Sequence, residues 1–186
     1  GNQVYLGGIS GDGFNQNNNA FIAAFNAYTG DISWAKNYPD HANFRGLTIK
    51  EDKIFIASTD YGKVDNDNAV VGCIDLEGNE IWWGEYEGND WNSVFDGIVV
   101  GDQFIAVGYQ ADGSDRMDSR AISFDINTGE MLWNTKWGDD NSQFAKSIEI
   151  VNDKIYIASM DTGVLWGNDN IASAAGFTTI AEISKD

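Results

Sequence analysis

The chain has 186 residues, 42% of them hydrophobic and 13% aromatic, which is enough apolar mass for a packed core and too much for a disordered segment. Eleven Lys and Arg stand against 29 Asp and Glu, for a formal charge of −18. Such a surface repels phosphate backbones and anionic lipid, which excludes nucleic-acid binding; no apolar run approaches the roughly eighteen residues of a membrane span, so no membrane insertion is expected.

In chain order, a polar turn at Asn2-Gln3 leads into a short β-rich run, Val4-Tyr5-Leu6, that ends in Gly7-Gly8. A polar loop over 11–19 follows. The next apolar run, Ala20 to Ala27, tempts a helix assignment, but its counterparts at 69–75 and 121–126 have strand character. Then comes Thr29-Gly30-Asp31-Ile32-Ser33-Trp34, in which glycine supplies the positive φ of a tight turn and the tryptophan lands on a fixed face of the next strand.

The second unit repeats this order behind an extra strand. Strands are expected at about 44–50, 53–59, 68–75 and 80–86, with a polar loop over 60–68 and the turn Glu77-Gly78-Asn79-Glu80-Ile81-Trp82. The third unit has Val94 at its opening, Asp102-Gln103-Phe104-Ile105 at its second strand, a loop over 112–119, and Thr128-Gly129-Glu130-Met131-Leu132-Trp133. The fourth opens at Phe144, continues with Asp153-Lys154-Ile155-Tyr156, carries a loop over 161–170 and reaches Ile180-Ala181-Glu182-Ile183. Three independent markers thus recur at a period of about fifty residues, the signature of a repeat architecture.

A four-stranded meander cannot bury both of its faces alone, and radial stacking solves this. The fold class expected is all-β: a β-propeller of about four blades, each an antiparallel four-stranded meander, with incomplete end blades. The chain is read as one domain, 1–186, with units at about 1–40, 41–90, 91–140 and 141–186. The strands number three, four, four and three. Three explanations of the short ends are open: a fragment of a longer protein, a compact propeller with thin end blades, or completion by strand exchange between copies.

The segment Ser123-Phe124-Asp125-Ile126-Asn127-Thr128-Gly129-Glu130-Met131-Leu132-Trp133 resembles the tryptophan-docking repeat of the pyrroloquinoline-quinone-like (PQQ-like) β-propellers, and 24–34 and 74–82 follow it. Asn19 to Phe25 is also similar to bacterial surface-protein propeller repeats. The resemblance implies that Trp34, Trp82 and Trp133 staple neighbouring blades and that Asp and Thr side chains brace the turns. The quinoprotein dehydrogenases of that family are implied to carry a cysteine-pair disulfide and calcium beside the quinone. Here Cys73 is the only cysteine, and no quinone site is expected.

The candidate chemistry lies in the polar loops, which share one place in the repeat and so one rim. Their Asp and Asn oxygens suit calcium, a hard cation that takes six to eight oxygen ligands; the candidate ligands are Asp60, Asp65, Asp67, Asp112, Asp115 and Asp118. The competing explanation is ordinary turn chemistry. Arg45, Asp96 and Lys146 sit near the start of the first strand in successive units and are expected to line a channel. Cys73 lies in an apolar run and His41 is the only histidine, which argues against zinc sites and triads. Trp166, in a loop outside the repeat, is the candidate partner contact.

The function expected on these grounds is a non-enzymatic extracellular or cell-surface scaffold, binding a protein partner or further copies of itself. The alternatives are a calcium- or carbohydrate-binding propeller and a fragment of a larger propeller enzyme.

Overall fold

The computed structural model describes residues 2–11, 19–41, 43–64, 66–86, 91–111, 116–138, 141–152, 154–162 and 177–183; the side chains of 61–67, 162 and 177–183 are not described. Every regular element among them is a strand. The first sheet holds β1 (Gln3–Ser10), β2 (Asn19–Asn26) and β3 (Ile32–Tyr38). The second holds β4 (Phe44–Lys50), β5 (Lys53–Val64), β6 (Asn66–Asp75) and β7 (Glu80–Tyr86). The third holds β8 (Asn92–Val100), β9 (Gln103–Ala111), β10 (Met117–Asp125) and β11 (Met131–Trp137). The fourth holds β12 (Ser142–Val151), β13 (Lys154–Thr162) and β14 (Phe177–Ile183).

Each sheet is an antiparallel meander in sequence order, and successive sheets pack face to face as a fan of propeller blades. The expected count of three, four, four and three strands matches. The fan does not close among the described residues. The segment at Ala20 that suggested a helix is β2. One boundary differs from expectation: β5 and β6 run on into the segment read as a polar loop, pairing as far as Val64 with Asn66. Backbone hydrogen bonds close a hairpin regardless of side-chain polarity.

Three apolar seams hold the fan. Ala20, Ile22 and Tyr38 meet Phe44, Ile54, Ile56 and Ile74 between the first two sheets. Phe55, Ala57, Val71, Cys73 and Trp82 meet Val94, Phe104, Ala106, Ile122 and Phe124 between the second and third. Ile105, Val107 and Ala121 meet Ala145, Ile148, Ile155 and Ile157 between the third and fourth. Both faces of the inner sheets are buried, so their second strands are continuous apolar runs. Each fully buried Ile or Phe contributes about 1.5–3 kcal/mol.

The tryptophan turns join the wide side of the fan. Gly30, Gly78 and Gly129 have φ of 75°, 79° and 74°, where L side chains are strained. The Trp34 ring lies against Gly78, and its Nε1–H donates to Leu76 O at 3.0 Å. The Trp82 ring lies against Gly129, and its Nε1–H donates to Ile126 O at 2.9 Å. Trp133 packs in the third seam but donates to Gln103 Oε1 of its own sheet at 3.0 Å. The turns are braced by Asx acceptors: Asp125 Oδ1 accepts from the backbone N–H of Asn127 and Thr128, and Asn26 Oδ1 accepts from those of Tyr28 and Thr29.

A Cβ added at Gly78 would stand 2.8 Å from the Trp34 ring, whereas at Gly30 it would meet nothing within 4 Å. Gly78→Ala is therefore expected to lose about 2–4 kcal/mol from combined backbone strain and overpacking, and Gly30→Ala only about 1 kcal/mol from strain alone, as read by urea unfolding.

Candidate functional site: the narrow end of the fan

The first strands β4, β8 and β12 lie beside one another at the narrow side of the fan. Side chains and backbone tie them together: Thr48 Oγ1 donates to Gly97 O, and Asp96 Oδ2 accepts from Ser147 Oγ at 2.9 Å and Ile148 N at 3.1 Å. Each of these strands carries a one-residue bulge against its neighbour, between Phe44 and Gly46, Val94 and Asp96, and Ala145 and Ser147. The bulged residues are Arg45, Phe95 and Lys146. A bulge leaves its extra residue unpaired and re-aims its side chain, and here the three side chains converge.

The Arg45 guanidinium carbon lies 4.7 Å from the Phe95 ring centre, and Lys146 Nζ lies 3.6 Å from the same centre and 5.0 Å from that of Phe144. Although much of the Lys146 side chain meets solvent, its ammonium rests on the rings. Desolvation there, followed by the charge of Arg45, holds its pKa below the usual lysine range. Two cations thus share one aromatic ring, in a protein of charge −18.

This arrangement revises the grouping of Arg45, Asp96 and Lys146. Arg45 and Lys146 are structural equivalents, but their counterpart in the third sheet is Phe95. Asp96 stands one position later and braces the β12 backbone. The fourth unit is also shifted by one: Ala145, not Phe144, takes the place of Phe44 and Val94. A bulge adds a residue that sequence spacing cannot count.

Of the six acidic rim candidates, Asp60 and Asp118 have described side chains, and they lie in different sheets. Asp60, within β5, is buried, with its Oδ2 3.8 Å from His41 Nδ1. Asp118, on β10 in the next sheet, lies 3.9 Å from Lys136 Nζ. The side chains of Asp65 and Asp67, and all of Asp112, Asp115 and Trp166, lie outside the described residues. Among the described residues, no three His, Cys, Asp or Glu side chains could hold a metal ion. His41 stacks on Trp83 at 3.8 Å between ring centres. Cys73 is fully buried, and burial pushes its thiol up to about 11, which suppresses the reactive thiolate.

Sequence reasoning passed over Arg120. Its side chain is fully buried between the second and third sheets. Nε donates to Asn134 Oδ1 and Nη1 to Asn92 Oδ1, both at 2.9 Å, and the guanidinium carbon lies 3.6 Å from the Tyr86 ring centre. Nη2 has no hydrogen-bond partner among the described residues. Burial draws the pKa down to about 10, partly opposed by Tyr86, so the group stays charged at neutral pH. The one available signal was a charge inside the apolar run of β10. Arg120→Ala is expected to lose about 2–4 kcal/mol through the cavity and the stranded asparagine carbonyls, and Arg120→Met about 1–2 kcal/mol because it keeps the volume; urea melts of the two variants measure the difference.

No family model and no curated protein matches the sequence. Solved structures do. The quinohemoprotein alcohol dehydrogenase ADHIIG from Pseudomonas putida HK5 matches over 77% of this chain and 27% of its own, at 12% identity and a TM-score of 0.53. A europium-containing methanol dehydrogenase matches over 96% of this chain and 38% of its own, at 16% identity and a TM-score of 0.56. The chain spans well under half the length of either. At these identities the likeness establishes a propeller fold of the PQQ-like kind.

The comparisons correct one expectation. The absence of a catalytic spacing pointed to a non-enzymatic propeller, but both of these solved propellers are dehydrogenases. A repeat records packing, whereas catalytic groups sit on loops that the repeat does not constrain, so the missing motif carried no weight.

Proposed function

We propose that this chain forms consecutive blades of a larger β-propeller enzyme of the quinoprotein dehydrogenase kind, built on the tryptophan-docking repeat, and that the narrow end of its fan takes a small polycarboxylate. The observation that carries this reading is the convergence of Arg45 and Lys146, from equivalent bulges, on the Phe95 ring. Guanidinium and ammonium groups recognise carboxylates by charge-assisted hydrogen bonds, and the low dielectric beside the rings strengthens them. An extracellular or cell-surface location belongs to the same proposal, on the grounds of the acidic surface alone.

The described residues do not fit a bed for the quinone that the resemblance implies. Cys73 is the single cysteine, so no cysteine pair can form within the chain, and among the described residues no three His, Cys, Asp or Glu side chains could hold a metal ion. In this reading the residues that hold such a group come from other parts of the larger protein, and no redox step is assigned to the chain described above.

Citrate serves as the probe. Calorimetric titration at low ionic strength is expected to show binding to the wild-type chain, weakened about tenfold or more by Arg45→Gln and by Lys146→Met, each loss matching one charge-assisted contact. Citrate that does not bind, or binds both variants as well as wild type, removes the ligand reading. Alcohol oxidation by the intact protein, supplied with quinone and calcium, tests the enzymatic part; complete inactivity would count against it. Calcium at the acidic rim predicts a higher melting temperature with calcium than with chelator, and equal melting would discard the metal.

A further inference from the structure

We propose that Lys146 is a nucleophilic amine, and that the site it shares with Arg45 takes a small aldehyde bearing a carboxylate, which it binds as an imine. This rests on reading the narrow end of the fan as an anion site, and it adds a covalent step there.

The Lys146 head is placed unlike those of three other lysines. Lys36 Nζ donates to Asn79 Oδ1 at 2.8 Å, Lys50 Nζ donates to Gly101 O, and Lys136 Nζ lies 3.9 Å from Asp118 Oδ2. Each has an oxygen that favours the charged form. Lys146 Nζ has no hydrogen-bond or ion-pair partner among the described residues, and what it meets is the Phe95 ring at 3.6 Å and the Phe144 ring at 5.0 Å from their centres. Lys36 also stands over a ring, 6.0 Å from the Trp34 centre, but it keeps its amide acceptor. The Phe95 ring attracts a cation, yet Arg45 draws on the same ring, and its charge opposes a second.

The other charged groups on the strands packed against β12 are engaged elsewhere. On β8, Asp96 accepts from Gly97 N and Ser147 Oγ, both at 2.9 Å, and from Ile148 N at 3.1 Å. Those bonds clamp β12 directly after its bulge and fix where the lysine leaves the strand. On β10, Asp118 faces Lys136, Arg120 is held by Asn92 and Asn134, and Asp125 braces its own turn. On β13, Asp161 and Lys154 pair in register with Gln143 and Val151, on either side of the bulge. The strand β9 carries no charged residue.

This setting favours the free amine. Desolvation against the rings and the charge of Arg45 hold the Lys146 pKa below the usual lysine range, so more of it is unprotonated at neutral pH than of an ordinary lysine. The residue is nevertheless exposed, so a solute can reach it. The amine nitrogen attacks the aldehyde carbon, and a C–N bond forms as the C=O π pair moves to oxygen. Protons passed to that oxygen release it as water and leave a protonated imine. Ammonium and aldehyde give iminium and water, so the step needs no oxidant and no further reactant. Arg45 supplies the charge that draws the carboxylate of the aldehyde.

The test is reductive trapping on the folded chain at neutral pH. Glyoxylate is the probe, cyanoborohydride supplies the hydride that fixes the imine as a secondary amine, and peptide mapping by mass spectrometry locates the label. Propanal is the uncharged comparison. Lys146 is expected to take most of the label found on lysines, with the α-amino group counted separately, and to lose that advantage in urea. Its selectivity over the other lysines should be several-fold greater with glyoxylate than with propanal, and Arg45→Gln should reduce the glyoxylate selectivity more. Even labelling across the lysines, or the same preference in urea, overturns the nucleophilic amine. Equal selectivity with the two aldehydes overturns the carboxylate-bearing class. Citrate binding without selective labelling removes this proposal alone, whereas selective labelling by glyoxylate without citrate binding upholds it and removes the polycarboxylate.

Discussion

The structure depends on a tryptophan seated on a left-handed glycine of the next sheet. The contact joins two scales. Locally, glycine at a φ near 75° lets a tight turn form and leaves no Cβ above it. Across sheets, the bare turn becomes a flat floor for an indole ring, and a backbone carbonyl at its edge receives the N–H. A large aromatic is thereby buried with its one polar atom satisfied, which spares the cost of an unpaired donor. The same device fixes the spacing between sheets, because ring thickness sets the gap that the aliphatic seams fill.

That coupling explains why the fold was legible in the sequence. The glycine, the tryptophan four residues on and the apolar second strand are all demanded by one interface, so they recur together and in register. The sequence could also be read for the strand count and for the single buried thiol. The narrow end was harder. Arg45, Phe95 and Lys146 differ in charge and size, so no residue type announces their equivalence, and the bulge displaces the fourth unit by one residue. Arg120 was invisible for another reason: its partners Asn92, Asn134 and Tyr86 come from three strands in two sheets, and nothing local records that they meet.

The two kinds of cation in the molecule also differ. Arg120 is sealed between sheets, held by amide oxygens and an aromatic face, and it braces the second seam against the third sheet. Arg45 and Lys146 stand where the first strands crowd together, both exposed as residues and with their heads against the Phe95 ring. Burial makes the first structural, whereas the other two share one aromatic ring at exposed positions. The loss of a catalytic argument from the repeat follows the same line, since repeated positions serve packing and chemistry belongs to the positions that vary.

The bulge carries a consequence for how such a molecule changes over time. At Arg45, Phe95 and Lys146 the backbone lifts one residue out of the ladder in each sheet while the pairs on either side stay in step. Mutation there meets little resistance from the surrounding lattice of strands. A lineage can rewrite these three positions, one blade at a time, from cation to ring, while the walls keep their shape.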